Sequence, residues 1–152
     1  MKAMVVYDTV HGNTRAIAEA IAGALPGRVV ALVPGAVALE ELAGVDLLVI
    51  GSPTHGGLPT EAMRGLLARI GPPRRGGRVA AFDTRLTWPM IARLGRFAAE
   101  AIALDLSGKG WEPAVSPQGF YVSGLFRWRL KPGQPEKASA WARAVVRSLE
   151  RE

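Results

Sequence analysis

The chain has 152 residues, of which 49% are hydrophobic and 21% charged, and it carries a formal net charge of +6 at neutral pH. This length and balance fit a single globular domain, which we place over residues 1–152, and argue against disorder. The absence of cysteine excludes disulfides, thiolate nucleophiles and cysteine-ligated metals.

The positive charge comes mostly from arginine and is spread over several predicted loops and helices. Charge of this sign attracts acidic partners over distances of order 10 Å. Because no nucleic-acid-binding motif accompanies it, nucleic acid is not an expected partner. No apolar run is long enough to cross a bilayer, and the N-terminus lacks a signal-peptide pattern. We therefore expect a cytoplasmic protein without a membrane span.

The N-terminal stretch predicts a strand, a turn and a helix. Residues 3–7 form an apolar run of strand formers, and Ile17, Ile21 and Leu25 recur at helical spacing. The turn over residues 8–14 is small and polar. A helix that begins at the end of a strand presents unpaired N–H groups, which bind phosphate. The same residue types also cap helices, but so many donors in one turn favour an oxyanion site.

The rest of the chain alternates between strands and helices. Further strands are predicted over residues 28–33, 45–50 and 79–82, and helices over residues 60–70, 89–107 and 135–149. Pro113 and Pro117 predict that the fifth strand is broken or offset and ends at residues 120–122. Residues 126–130 fit either a short extra strand or an exposed loop.

This alternation predicts a parallel sheet covered on both faces. Right-handed crossovers then make five strands a three-layer, doubly wound α/β sandwich. In the strand order 2-1-3-4-5, the first, third and fourth strands lie side by side, and ligands bind beyond their carboxyl ends. The loops at these ends cover residues 9–14, 52–59 and 83–88, so we expect the binding site there.

These loops resemble those of the flavodoxin family. Residues 7–14, with the ending Gly12-Asn13-Thr14, look like the family's FMN phosphate loop, and residues 51–57 are similar to its second flavin loop. Residues 83–85 look like the third loop, and residues 119–124 match the closing strand. The resemblance implies a flavodoxin-like fold with FMN as the cofactor.

The resemblance also implies which residues hold the cofactor. Backbone N–H groups and small polar side chains of the first loop would surround the phosphate, and the other two loops would contact the flavin ring. Gly56 or Gly57 would permit a peptide flip towards N5 of the reduced flavin. The expected cofactor-binding residues are Thr9, Val10, His11, Gly12, Asn13, Thr14, Pro53, Thr54, His55, Gly56, Gly57, Asp83, Thr84, Arg85 and Trp88.

The chain departs from the family at several positions. His11 stands where relatives usually carry a hydroxyl. His55 and Trp88 are the candidates for stacking on the flavin, although Trp88 fits a core position equally well. The other three tryptophans, Trp111, Trp128 and Trp141, are taken as structural or surface residues.

The basic charge, with Arg85 in a flavin loop, is a further departure, because typical flavodoxins are acidic. It predicts a less negative two-electron potential and redox partner proteins with acidic faces. A monomer and a homodimer are both compatible with the sequence.

We predict an FMN-binding electron-transfer protein without catalytic residues or a metal site. Whether the chain is an enzyme stays open: a flavodoxin-fold oxidoreductase of the quinone or protoporphyrinogen type and a flavin-free interaction module are the alternatives. A response regulator would need an aspartate where Gly51-Ser52 stands, and a dinucleotide-binding domain would need more glycines than Gly12 in the first loop.

Overall fold

The computed structural model describes residues 1–87, 96–124 and 128–152. Within these residues, strands and helices alternate as the sequence predicts. The helices are α1 (Asn13–Ala24), α2 (Leu39–Ala43), α3 (Glu61–Arg69), α4 (Ala98–Ser107) and α5 (Gln134–Glu150), with a short 3-10 helix at Pro34–Ala36. The strands are β1 (Ala3–Tyr7), β2 (Ala31–Leu32), β3 (Leu47–Pro53), β4 (Arg78–Leu86), β5 (Glu112–Pro113), β6 (Gln118–Ser123) and β7 (Arg129–Leu130).

The sheet has the strand order β2-β1-β3-β4-β6-β7, and β5 also pairs with β4. All pairs are parallel except β6 with β7. The predicted order 2-1-3-4-5 and the doubly wound α/β class are therefore confirmed, with seven strands in place of five among the described residues.

The fifth strand is split, as its prolines predict. β5 pairs with the start of β4, where Val79 faces Pro113, and β6 pairs with its end, where Leu86 faces Val122. A proline has no N–H to give to a ladder, so the strand is interrupted between these two segments. The extra strand allowed for residues 126–130 is present as β7, which covers the outer edge of β6.

Helices cover both faces of the sheet. Alternate residues of β3 point to opposite sides: Leu48 and Ile50 join the core beneath α3 and α4. Leu47 and Val49 join the core beneath α1 and α5. This three-layer packing fixes the carboxyl ends of β1, β3 and β4 next to one another.

One predicted element is shorter than expected. The second strand, predicted as buried over residues 28–33, is limited to Ala31–Leu32, and Val30 is 65% exposed. It lies at the sheet edge, and an apolar run alone does not distinguish an edge strand from a central one. Within the helix predicted over residues 89–107, α4 begins at Ala98, after Phe97 with its extended backbone angles. Residues 88–95 lie outside the described residues.

One predicted loop is part of a strand. Residues 83–85 were expected in a loop after the fourth strand, but β4 continues through Leu86. Asp83 pairs with Ser52 of β3 on one side and with Gly119 of β6 on the other. Hydrogen bonds to β3 and β6 on the two sides extend β4 through this segment. The polar composition of the segment does not indicate this pairing.

Within the part of the chain that the structure describes, no helix is long and apolar enough to span a membrane.

Candidate functional site

A cleft lies at the carboxyl edge of the sheet, where β1, β3 and β4 end. Most of the residues predicted for the cofactor meet there. They are Thr9, Val10, His11, Asn13, Thr14, Pro53, Thr54, His55, Thr84 and Arg85, joined by Leu86, Val122 and Trp128. Gly12, Gly56, Gly57 and Asp83 are not among the lining residues, and Trp88 lies outside the described residues.

The first loop ends in an open helix start. Gly12 has a φ of +86° and precedes the first residue of α1, and its N–H donates to Thr9 Oγ1 at 3.0 Å. Among the described residues, no acceptor is found for the backbone N–H groups of Asn13, Thr14 and Arg15. Unpaired donors at the positive end of a helix dipole form a site for an anion.

A buried pair of hydroxyls joins this loop to β4. Thr14 is 1% exposed, and its Oγ1 lies 2.8 Å from Thr84 Oγ1. One hydroxyl proton is enough for this hydrogen bond. The second proton therefore remains available to a ligand in the cleft.

The second loop is a tight hairpin turn. His55 and Leu58 exchange backbone hydrogen bonds of 2.9 and 3.0 Å. Between them Gly56 and Gly57 have φ values of 58° and 81°, which makes a type I′ turn that glycine favours. The turn leaves His55 exposed at the rim of the cleft.

Thr54, which precedes this turn, connects three elements. Its backbone N–H donates to the Thr84 carbonyl oxygen at 3.0 Å. Its Oγ1 accepts from the Ala98 N–H at 2.9 Å. The hydroxyl predicted to face a ligand thus also caps α4, whose preceding residue Phe97 supplies no side-chain cap.

Asp83 and Arg85 form an ion pair at the end of β4. The Asp83 carboxylate is fully buried and accepts from Arg85 Nε at 2.7 Å, from Arg85 Nη2 at 2.8 Å and from the Ala99 N–H at 3.0 Å. Burial raises the pKa of Asp83, while the bond from Arg85 acts in the opposite direction. Asp83 therefore does not line the cleft itself and affects it only by holding Arg85 in place.

The guanidinium of Arg85 is held on two further sides. It lies 3.6 Å from the centroid of the Phe97 ring, and Nη2 is 3.4 Å from Glu100. Burial acts to lower the pKa of Arg85, but the bonds to Asp83 raise it overall. The prediction of a less negative potential relies on the basic charge with Arg85 near the flavin, and the structure pairs this arginine with a buried carboxylate.

Three lining residues were not foreseen from the sequence: Leu86, Val122 and Trp128. Trp128, which was expected to be a structural or surface residue, stacks on His11 with ring centroids 5.2 Å apart and an interplanar angle of 1°. Its carbonyl oxygen accepts from Asn13 Nδ2 at 2.9 Å. The sequence contains one indication that Trp128 lies at the cleft. It is the extra strand allowed for residues 126–130, which would return the chain towards the edge of the sheet that holds the cleft.

The cleft is shallow, with a cavity volume of about 40 Å³. The exposed residues Val10, His11 and His55 form its rim. A ligand larger than a few atoms must therefore extend from the cleft over this rim.

Comparisons with known proteins identify the same fold. The chain is similar to an archaeal flavodoxin, with 21% identity over 99% of each chain and a TM-score of 0.77. It is similar to flavodoxin 2 of Bacillus cereus, with 22% identity over 97% of this chain and 99% of the other and a TM-score of 0.75. It also resembles rubredoxin oxygen:oxidoreductase of Desulfovibrio gigas, with 19% identity over 97% of this chain, a TM-score of 0.73 and 37% of the longer chain covered.

No protein with a curated description matches the chain in sequence. The family model for the flavodoxin domain matches residues 4–101, which is more than half of the chain. The matched segment contains the first loop, the turn at Gly56 and Gly57, and the end of β4. The chain therefore belongs to the flavodoxin domain family.

Proposed function

We propose that the chain binds FMN and acts as an electron-transfer protein. The observation that carries this proposal is the start of α1, where three backbone N–H groups have no acceptor among the described residues and lie beside a buried hydroxyl pair. Such donors suit a phosphate, and the family suggests a flavin attached to it. When bound, FMN supplies a reversible redox centre.

The first loop is the proposed phosphate site. The backbone N–H groups of Asn13, Thr14 and Arg15 and the hydroxyls of Thr9 and Thr14 are the proposed donors. Among the described residues, Arg85 is the one arginine or lysine that lines the cleft, and it is already paired with Asp83. Neutral donors and the helix dipole would therefore balance the phosphate charge.

The ends of β3 and β4 are the proposed flavin site. The proposed contacts are Pro53, Thr54, His55, Gly56, Gly57, Thr84 and Arg85. Several are fixed before a ligand arrives, because Thr54 bonds the Thr84 backbone and Arg85 is paired with Asp83. Binding would then cost little ordering of these groups.

We propose a carrier rather than an enzyme. A carrier needs a cofactor edge that a partner protein can approach, and the shallow cleft with its exposed rim offers one. The oxidoreductase alternative is favoured by the presence of Arg85 and His55 in the cleft, where either could contact a substrate.

The first test is a titration of FMN with the apo-protein, followed by quenching of flavin fluorescence, with riboflavin in parallel. We expect saturable quenching by FMN and at least about tenfold weaker binding of riboflavin, which lacks the phosphate. Thr14→Val should weaken FMN binding about tenfold and leave riboflavin binding unchanged.

Ser107→Ala, which removes an exposed hydroxyl at the far end of α4, is the matched control and should bind both ligands like the wild type. Equal affinity for FMN and riboflavin would overturn the phosphate site. Absence of quenching by a folded protein would favour the flavin-free interaction module.

A further inference from the structure

β7 returns the chain to the edge of the sheet that holds the cleft. Ser123 of β6 faces Arg129 of β7, and the Lys131 N–H donates to the Tyr121 carbonyl oxygen at 2.9 Å. Trp128 directly precedes this strand. The antiparallel pairing therefore brings Trp128 beside the first loop, from which it is more than a hundred positions distant in sequence.

Two contacts hold Trp128 against the first loop. Asn13 Nδ2 donates to the Trp128 carbonyl oxygen at 2.9 Å and fixes the backbone. The His11 ring is parallel to the indole and fixes its plane. The Asn13 amide was expected among the contacts to the phosphate. In the structure, it donates to the backbone of another element.

Trp128 presents a large apolar surface to the cleft. It lines the cleft and is nevertheless 45% exposed. Tryptophan usually has much of its surface covered. An indole beside the open start of α1 would also exclude water from an anion bound there and so strengthen the hydrogen bonds to it.

We propose that Trp128 is a cofactor-binding residue and that Asn13 is a positioning residue that acts through it. This inference rests on the proposed function, since it takes FMN as the ligand. Trp128 covers the phosphate end of the site. Asn13 holds the Trp128 backbone in the position from which the indole covers the phosphate. His11 supports the indole from the side of the first loop.

The test is a double-mutant cycle on FMN affinity with Asn13→Ala, Trp128→Ala and the combined variant, measured by fluorescence quenching. We expect each single substitution to weaken FMN binding about tenfold. In the Trp128→Ala background, Asn13→Ala should add less than about a twofold change, because the group it positions is gone. Trp128→Phe, which keeps an aromatic ring, should restore most of the affinity.

Leu104→Ala is the control, because Leu104 is an apolar side chain on α4 that is 78% exposed and does not line the cleft. It should bind FMN with wild-type affinity. A second readout is the fluorine resonance of 5-fluorotryptophan at position 128, identified by its loss in Trp128→Ala. FMN should shift it in the wild type and shift it less in Asn13→Ala.

The outcomes separate the inference from the proposed function. If Asn13→Ala weakens binding equally in both backgrounds, Asn13 contacts the phosphate directly and the positioning role is wrong. If the wild type binds FMN but Trp128→Ala binds it equally well, the cofactor-binding role of Trp128 is wrong and the proposed function stands. If the wild type binds no FMN, both are overturned.

Discussion

Asp83 and Arg85 are two positions apart on β4, so their side chains lie on the same face of the sheet. The carboxylate is completely buried, and two of its three recorded donors belong to Arg85. A buried carboxylate that loses its cation is left with an uncompensated charge. The stability of this end of β4 therefore depends on Arg85 as well as on the apolar core.

Arg85→Met should destabilise the protein by about 3 kcal/mol at neutral pH. Burial already raises the pKa of Asp83, and loss of the guanidinium raises it further above the value in the unfolded chain. The native state of the variant then binds a proton more readily than the unfolded state, so the loss of stability should shrink as the pH falls. Urea unfolding at pH 7.5 and at pH 5 measures this difference.

Arg15→Met is the control for that substitution, because the Arg15–Glu19 pair lies on the exposed face of α1. It should change stability only slightly at either pH. An Arg85→Met variant that is equally destabilised at both pH values would contradict the role given to the Asp83 charge.

At the scale of single residues, the sequence predicts part of the site. Thr9, Asn13 and Thr14, which line the cleft, were predicted because they lie between an apolar strand and the apolar face of a helix. The roles of Asn13 and Asp83 depend on Trp128 and on the burial of β4, which local spacing does not reveal. The position of Trp128 in the cleft was missed because its contact with Asn13 joins residues 115 positions apart.

The turn after β3 contains two adjacent glycines, Gly56 and Gly57, whose surroundings differ. Both Gly56 and Gly57 have positive φ values. A Cβ on Gly56 would meet nothing within 4 Å, whereas one on Gly57 would lie 2.7 Å from Arg96 Cβ. The turn therefore packs closely against the chain just before α4 at one of its two glycines.

Gly57→Ala should destabilise the protein more than Gly56→Ala does. Each substitution costs about 1 kcal/mol for the left-handed backbone, and Gly57→Ala must in addition displace Arg96. Thermal unfolding of both apo variants provides the comparison, with Gly56→Ala as the matched control. Equal shifts in Tm would show that Arg96 moves aside freely.

At the scale of elements, the sequence predicts the alternation well and the boundaries less well. Apolar periodicity located α1, α3 and α5, and prolines located the break in the fifth strand. The same apolar pattern predicted too long a strand for β2. An edge strand pairs with a neighbour on only one side, and the apolar pattern does not show this. The polar end of β4 was assigned to a loop because its neighbours β3 and β6, which complete its ladder, are not visible locally.

The molecule as a whole is basic, with a net charge of +6. Excess charge of one sign accelerates encounters with partners of the opposite sign and slows those with partners of the same sign. Salt screens both effects beyond about 10 Å. We therefore propose that the redox partners of this chain present acidic faces.

Electron exchange between the FMN-loaded protein and an acidic iron–sulfur protein should slow by about tenfold as salt rises from about 0.01 to 0.15 M. A basic cytochrome should show the reverse trend, and both are measured by stopped-flow absorbance. A neutral quinone, whose approach does not depend on salt, is the control. Sustained turnover of the quinone would instead favour the oxidoreductase.

The fold as a whole was predictable because alternating strands and helices with right-handed crossovers allow few arrangements. That rule still permits more than one strand order, and the order 2-1-3-4-5 was predicted because it brings the loops after the first, third and fourth strands together. The antiparallel β7 was left open, because its two residues carry too short a pattern to distinguish a strand from a loop. Those two residues nevertheless determine where Trp128 lies.

The start of α4 has a consequence for how the molecule fluctuates. Its first two amides are held by side chains from other elements, Ala98 by Thr54 and Ala99 by Asp83. Fraying of this helix end therefore requires that residues at the cleft release their hydrogen bonds. Exchange of these amides with solvent deuterium and loosening of the cleft are then one local opening event, so a ligand that holds Thr54 also slows the unwinding of α4.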